Sequence, residues 1–418
     1  MKIRINKISI YKFAVLVFLL VDCRFFYVIK LPERLGGASS NKFMLAIASL
    51  MLFFFYLQTN GKLKKGKYRA VIAGLYIVLA LNVFTMNVRW HYRDTQIIWF
   101  ILPFCVLLMY FVLAEFLQKK KNYDYFLKVA EIVCIMVGIL MIAQVIYWGI
   151  AHEVFLDIHV MNYYLYRYNV QLRLYGYCDG LMRIVILMSA YELIHNDFKW
   201  KQNKLHFISF VVSFISIVFV DQSRIYLIIE IIALIVMYVS EKKSHTKIKK
   251  RHMLFFFAEI CIAVYFLKNK MGSLIASMQD SGNGSNFARV GAVWYYFKSF
   301  TDWVFTGYGI VIPDEETVAY GVIKGASGLY NYDDIGIIGV FVSLGILGLM
   351  WYLWVLVKLW RISRIRTSYQ TLNKGLFVAF LLAIATQSYL DRGRLVSLVL
   401  TLAVTDAVSN RKFDGGSG

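Results

Sequence analysis

Proline is almost missing from this chain, at 3 of 418 residues, and charge is scarce, at 17%. Acidic residues are scarcer still, with 25 Asp and Glu against 46 Lys and Arg. An ordinary soluble domain has about a quarter of its residues charged, so a string of water-soluble domains is excluded. The five cysteines (Cys23, Cys105, Cys134, Cys178 and Cys261) fall in or beside apolar runs and form no Cys-x-x-Cys pair. That excludes a disulfide framework and reads them as small buried hydrophobes. The seven histidines are scattered, with no His-Glu-x-x-His, and no Gly-x-x-x-x-Gly-Lys loop occurs. No metal, cofactor or built-in ATPase is therefore expected.

What fills the chain instead is apolar: 59% of residues, in repeated runs. Runs of about 17 to 25 apolar residues require helices in lipid, because only there is every backbone polar group satisfied within the segment. They predict an all-α, polytopic membrane protein with about twelve transmembrane helices. The expected spans are 9–29, 43–59, 70–88, 96–117, 128–149, 177–194, 205–220, 224–240, 253–268, 335–358, 375–390 and 395–409. Residues 1–414 read as a single transmembrane domain, with 10–30 a retained first span rather than a signal peptide. Gly-Gly-Ser-Gly at 415–418 reads as an expression scar.

The net charge of +21 invites a nucleic-acid reading, but no recognition motif accompanies it, and no nucleic-acid partner is expected. The basic residues gather in alternate loops: Lys62 to Arg69, Lys119 to Lys121, Lys242 to Arg251 and Arg361 to Arg366. With Lys2, Arg4 and Lys7 at one terminus and Arg411 and Lys412 at the other, they mark one face. The positive-inside rule makes that face, and both termini, cytoplasmic. Membrane lipid is an expected partner, and these clusters suit its anionic headgroups. Two long loops, 150–176 and 269–333, fall on the opposite, extracytoplasmic face, where long loops carry function.

On that face arginine stands out. Arg224 follows Ser223, a good N-cap, in the first turn of a span. A cation there opposes the helix dipole unless an anion is bound at the same end. Arg289 repeats the arrangement after the cap-rich stretch 282–286. Phe287, Val290, Trp294 and Phe297 then predict an amphipathic helix on the outer interface. Arg173 precedes a span, and Arg183 lies one to two turns inside it, facing a cavity or snorkelling. The plain alternative for each arginine is an interfacial position or a salt bridge. Together they point to an external anion site, since Arg suits bidentate phosphate recognition. A general base must come from the carboxylates of that face, Asp333 and Asp334 among them, or from His152 or His159. Both aspartates also serve simply as favourable charges at a helix start.

Four segments resemble the bacterial O-antigen polymerase (Wzy-type) and O-antigen ligase superfamily. They are Arg173-Leu-Tyr-Gly176; Asp221-Gln-Ser223-Arg224; Arg289 through Trp294 to Thr306-Gly307-Tyr308-Gly309; and Tyr332-Asp333-Asp334-Ile335-Gly336 with Leu344-Gly345-Ile-Leu-Gly348. Tyr330-Asn331 stands where the ligase branch usually has His-Asn, which brings the chain closer to the repeat-unit polymerases. The resemblance implies a metal-independent glycosyltransferase of the bacterial cytoplasmic (inner) membrane. It would polymerise polyprenyl-diphosphate-linked oligosaccharides into O-antigen or capsule, with a chain-length regulator and a flippase as partners. Arg173, Arg224 and Arg289 would hold the diphosphate, with Arg183 beside them. Asp334 would act on the acceptor next to Asp333, and Trp294 would stack on sugar. Ligase and lipid-linked-oligosaccharide flippase remain as other readings.

Overall fold

A computed structural model describes residues 7–29, 38–60, 66–156, 164–167, 171–174, 177–199, 201–244, 284–311, 317–325, 328, 330–391 and 393–410. The expected span 253–268 and the Gly-Gly-Ser-Gly end lie outside these residues.

The chain is all-α apart from one short hairpin. The helices are α1 (Lys7–Asp22), α2 (Ala38–Asn60), α3 (Arg69–Trp90), α4 (Asp94–Phe116), α5 (Lys120–Ala151), α6 (Asp179–His195), α7 (Lys204–Asp221) and α8 (Arg224–Ser244). After the undescribed stretch come α9 (Gly284–Lys298), α10 (Phe300–Trp303), α11 (Val318–Lys324), α12 (Gly336–Ser363), α13 (Gln370–Ala383) and α14 (Leu395–Ser409). Strands β1 (Tyr164–Arg167) and β2 (Gln171–Leu174) pair antiparallel, with Leu165 opposite Arg173. The sequence reading placed Arg173 in a plain loop before α6; the hairpin is a difference.

Among the described residues, six helices are long and apolar enough to cross a membrane: Lys42–Asn60 of α2, then α3, α4, α5, α7 and α12. This fits a polytopic membrane protein. Large apolar side chains form exposed stripes at helical spacing, such as Ile77, Leu81, Phe84 and Val88 on α3. Met350, Leu353, Val357 and Trp360 do the same on α12. Water does not tolerate apolar faces of that extent.

Two of the other expected spans, α6 and α14, are shorter than those six helices, and for a visible reason. Every residue of α14 from Leu395 to Ser409 is buried, as is α6 from Leu181 to Ile194 except Glu192. Central helices need not match the lipid thickness: α14, with 15 residues, is about 22 Å long at 1.5 Å per residue. Hydrocarbon about 30 Å thick calls for about 20 residues. Being buried, α14 also carries Thr401, Thr405 and Asp406 among its apolar residues.

The ends of the helices sort into two groups. At one, the Lys67 backbone donates to Asp406 at 2.9 Å, and Lys67 Nζ donates to Ser409 Oγ at 2.6 Å. Tyr110 donates to the same Asp406 carboxylate. Glu241 of α8 meets His195 of α6 at 3.0 Å and Thr371 of α13 at 2.5 Å. The described ends of the basic loops thus gather at one end of the molecule. At the other end, Arg89 and Trp90 of α3 clamp the segment after α10: Arg89 donates to Gly307 O (2.9 Å) and to Asp302 O, and Trp90 to Tyr308 O (2.6 Å). A second apolar cluster, including Met86, Ala292, Tyr296, Trp303 and Ile335, seats α9, α10 and α11 there.

Candidate functional site

Two adjoining clefts occupy the end opposite the basic loops. The first begins with Asp221. The last turn of α7, Ile217–Asp221, is a π turn, a form of helix enriched at functional sites. It brings Asp221, 3% exposed, between two arginines far away in sequence. Arg173 donates through Nε to Asp221 O at 2.6 Å, and its Nη2 lies 3.6 Å from Oδ1. Arg183 Nη2 lies 3.8 Å from Oδ2, and its guanidinium rests on the face of Tyr226. Arg183 then borders a small cavity of about 20 Å³, whose other walls include Glu230, Tyr226, Tyr389, Ser397 and Thr401. Glu230 is 2% exposed, and its Oε2 has no hydrogen-bond partner among the described residues. The site thus holds two guanidinium groups aimed at one carboxylate, with a second carboxylate in the cavity behind.

The second cleft forms at a break in α12. Gly345 leaves the helix at φ +67°, a left-handed conformation that Gly adopts without strain. The freed backbone groups are taken up by the incoming segment: Tyr308 N–H donates to Val342 O, Gly309 N–H to Ser343 O, and Ile346 N–H to Val304 O, at 2.8 to 2.9 Å. Asn82 of α3 joins in, donating to Ser343 O and accepting from Ile310 N–H, both at 3.1 Å. An interrupted helix of this kind is tolerated in a membrane protein where its backbone is buried or lines a cavity. Here it lines one, of about 80 Å³, with Ser343 and Leu344 from the break, Asp333, Lys42 of α2, and Ser388 and Asp391 from the α13–α14 connection. Gly336, at φ +59°, starts α12 against that connection, so that Ile337 N–H donates to Ile384 O at 2.9 Å. Any Cβ there would collide with the same oxygen.

The two clefts flank one segment. Ser388, Leu390 and Asp391 face the α12 break, and Tyr389 between them faces the arginine cavity.

The residues singled out in the sequence divide accordingly. Arg173 and Arg183 come together on Asp221, each within salt-bridge distance of it. Arg224 opens α8, and the carbonyl of Ser223 accepts from Leu227 N–H at 3.1 Å; the Arg224 side chain lies outside the described residues. Arg289 stands elsewhere in the helix than expected. Gly284, Ser285 and Asn286 are themselves helical, so Arg289 falls in the second turn of α9, past the free amide groups. Its Nε is buried without a hydrogen-bond partner among the described residues. Trp294 is 70% exposed on the same side of α9 as Val290 and Phe297. The adjacent carboxylates part: Asp333 faces the cleft, whereas Asp334 accepts from Asn331 at 3.3 Å. Glu230 and Arg89 are passed over in the sequence, and Asp221 has no role of its own there beyond heading the segment Asp221–Arg224. Asp221 sits 48 residues from Arg173, so no local pattern links them. Arg89 also lies 5.1 Å from the ring of Tyr308, whose phenol burial raises above its ordinary pKa, partly offset by its hydrogen bond with Ser299.

No protein-family model matches the chain, and no curated protein does.

Proposed function

We propose that this protein polymerises polyprenyl-diphosphate-linked oligosaccharides outside the cytoplasmic membrane. The observation that carries the reading is the pair of clefts on either side of Ser388–Asp391, one lined by an arginine and one by carboxylates. A reaction joining two lipid-linked glycans needs two such places.

In this reading the donor diphosphate takes the position at Arg173 and Arg183 that the Asp221 carboxylate holds in its absence, with Arg224 and Arg289 completing the anion site. The acceptor hydroxyl lies in the cleft at the α12 break. Its oxygen bonds to the anomeric carbon as the bond from that carbon to the diphosphate breaks. The diphosphate leaves with the electron pair, and Asp333 takes the hydroxyl proton. Guanidinium groups placed where the negative charge develops supply the main stabilisation, and a positioned carboxylate supplies general-base help. Asp333 replaces Asp334 as the favoured base because it is the one that faces the cleft. The basic end is cytoplasmic, as are both termini, and twelve helices cross, the 253–268 run and the central α6, α13 and α14 among them. α9 lies at the outer interface with Val290, Trp294 and Phe297 toward lipid, which their exposure supports.

The test is a purified-protein assay with a synthetic polyprenyl-diphosphate oligosaccharide. The expected product is a ladder of longer lipid-linked chains with release of polyprenyl diphosphate. Transfer only to a non-lipid-linked acceptor would favour a ligase, and no covalent product at all would favour a transporter.

A further inference from the structure

A separate site lies at the basic end. Lys67, Lys358 and Arg361 line one cavity of about 240 Å³, whose remaining walls are Trp354, Val357 and Ile362. None of the three cations forms an ion pair with a carboxylate among the described residues. Lys67 Nζ is held by Ser409, at 2.6 Å from Oγ and 3.3 Å from the carbonyl. Lys358 Nζ lies over aromatic rings, 5.5 Å from Trp354 and 5.9 Å from Tyr68. Arg361 is exposed at the last turn of α12. The cavity runs along α12 beside Lys67, just ahead of α3, and the two helices approach closely: a Cβ on Gly74 of α3 would lie 3.1 Å from the Trp354 ring.

Its apolar wall does not stop at the cavity. Val357 (44% exposed), Trp354 (41%) and Met350 (59%) continue as an uncovered stripe up α12, away from the charged end. Three cations around one cavity suit a phosphate at its mouth, and basic pockets beside membrane helices hold anionic headgroups. A free phosphate would leave the stripe unused, whereas a ligand with a phosphate and an acyl chain matches both halves.

We propose that this groove binds one anionic phospholipid, its phosphate among Lys67, Lys358 and Arg361 and an acyl chain along Val357, Trp354 and Met350. The site is independent of the glycan-transfer reading and stands at the other end of the molecule.

The test uses the full chain in phosphatidylcholine nanodiscs doped with lipid carrying brominated acyl chains, with tryptophan emission measured for the protein and for Trp354→Phe. Brominated phosphatidylglycerol should quench the Trp354 component several times more than the same fraction of brominated phosphatidylcholine. The double variant Lys358→Gln with Arg361→Gln should abolish that preference, since two interfacial charges are worth about tenfold or more in affinity. Lys120→Gln with Lys121→Gln, on the same basic face, should leave it unchanged, and millimolar inorganic phosphate should not compete. Equal quenching by the two lipids would overturn the proposal. So would equal losses in the two double variants, or displacement by phosphate. Native mass spectrometry of the unaltered protein gives the same decision without a variant: retained phosphatidylglycerol supports the site, and no preference over phosphatidylcholine refutes it.

Discussion

Arg173, Arg183 and Asp221 form one unit, in which Arg183 and Asp221 are buried and Arg173 is partly exposed. Removing the carboxylate leaves two guanidinium groups without their shared partner, and breaking a buried pair costs about 3–5 kcal/mol. Asp221→Asn should therefore lower the thermal midpoint of the purified protein markedly. Added diphosphate should restore part of the loss if the arginines accept an anion in place of the carboxylate. No recovery would leave the cluster a structural salt bridge. The aspartate pair gives a sharper comparison. Asp333→Asn should reduce turnover about 10²- to 10⁴-fold, the range of a lost general base. Asp334→Asn should cost far less, since among the described residues that side chain accepts from Asn331 and does not line the cleft. Initial rates of the two purified variants measure it, and equal losses would remove Asp333 from its role.

Among the elements, the interruption of α12 is the feature on which most depends. Gly345→Ala would force a side chain into left-handed backbone and against the carbonyl of Phe305. Strain of this kind costs on the order of 1–3 kcal/mol before the collision is counted. Both the thermal midpoint and activity should fall, as the segment Val304–Gly309 loses its seat; an unchanged protein would mean that the break is incidental. Element by element, the sequence was readable where lipid-facing and buried sides alternate. The apolar runs of α3 and α4 mark real helices within two residues, whereas α5 begins eight residues before its run and α12 continues five residues beyond its run. Hydropathy does not separate a lipid-facing helix from a buried one, so α14 was expected as an ordinary span although no residue from Leu395 to Ser409 is exposed. Ser223 marked the start of α8 correctly, whereas Gly284 to Asn286 looked like a cap and proved helical. The candidate site was half legible. Arginine out of place on a non-basic face pointed to Arg173 and Arg183, but their meeting at Asp221 depends on tertiary contacts between segments far apart.

For the molecule as a whole, function depends on which end faces outward and on what the outward end does. Single cysteines in a cysteine-free background test the first. A cysteine at Asp302 should react with an impermeant thiol reagent in intact cells, and one at Lys121 only after permeabilisation, both being exposed positions. The reverse pattern would put the arginine and carboxylate clefts in the cytoplasm. The most direct test of the second is the length distribution of lipid-linked glycan after loss of this protein. Cells should accumulate single repeat units on the carrier lipid, accessible from outside, with no long chains. Long chains stranded on the carrier would contradict polymerisation, and single units confined to the cytoplasmic leaflet would mean that the arginines line a transport route.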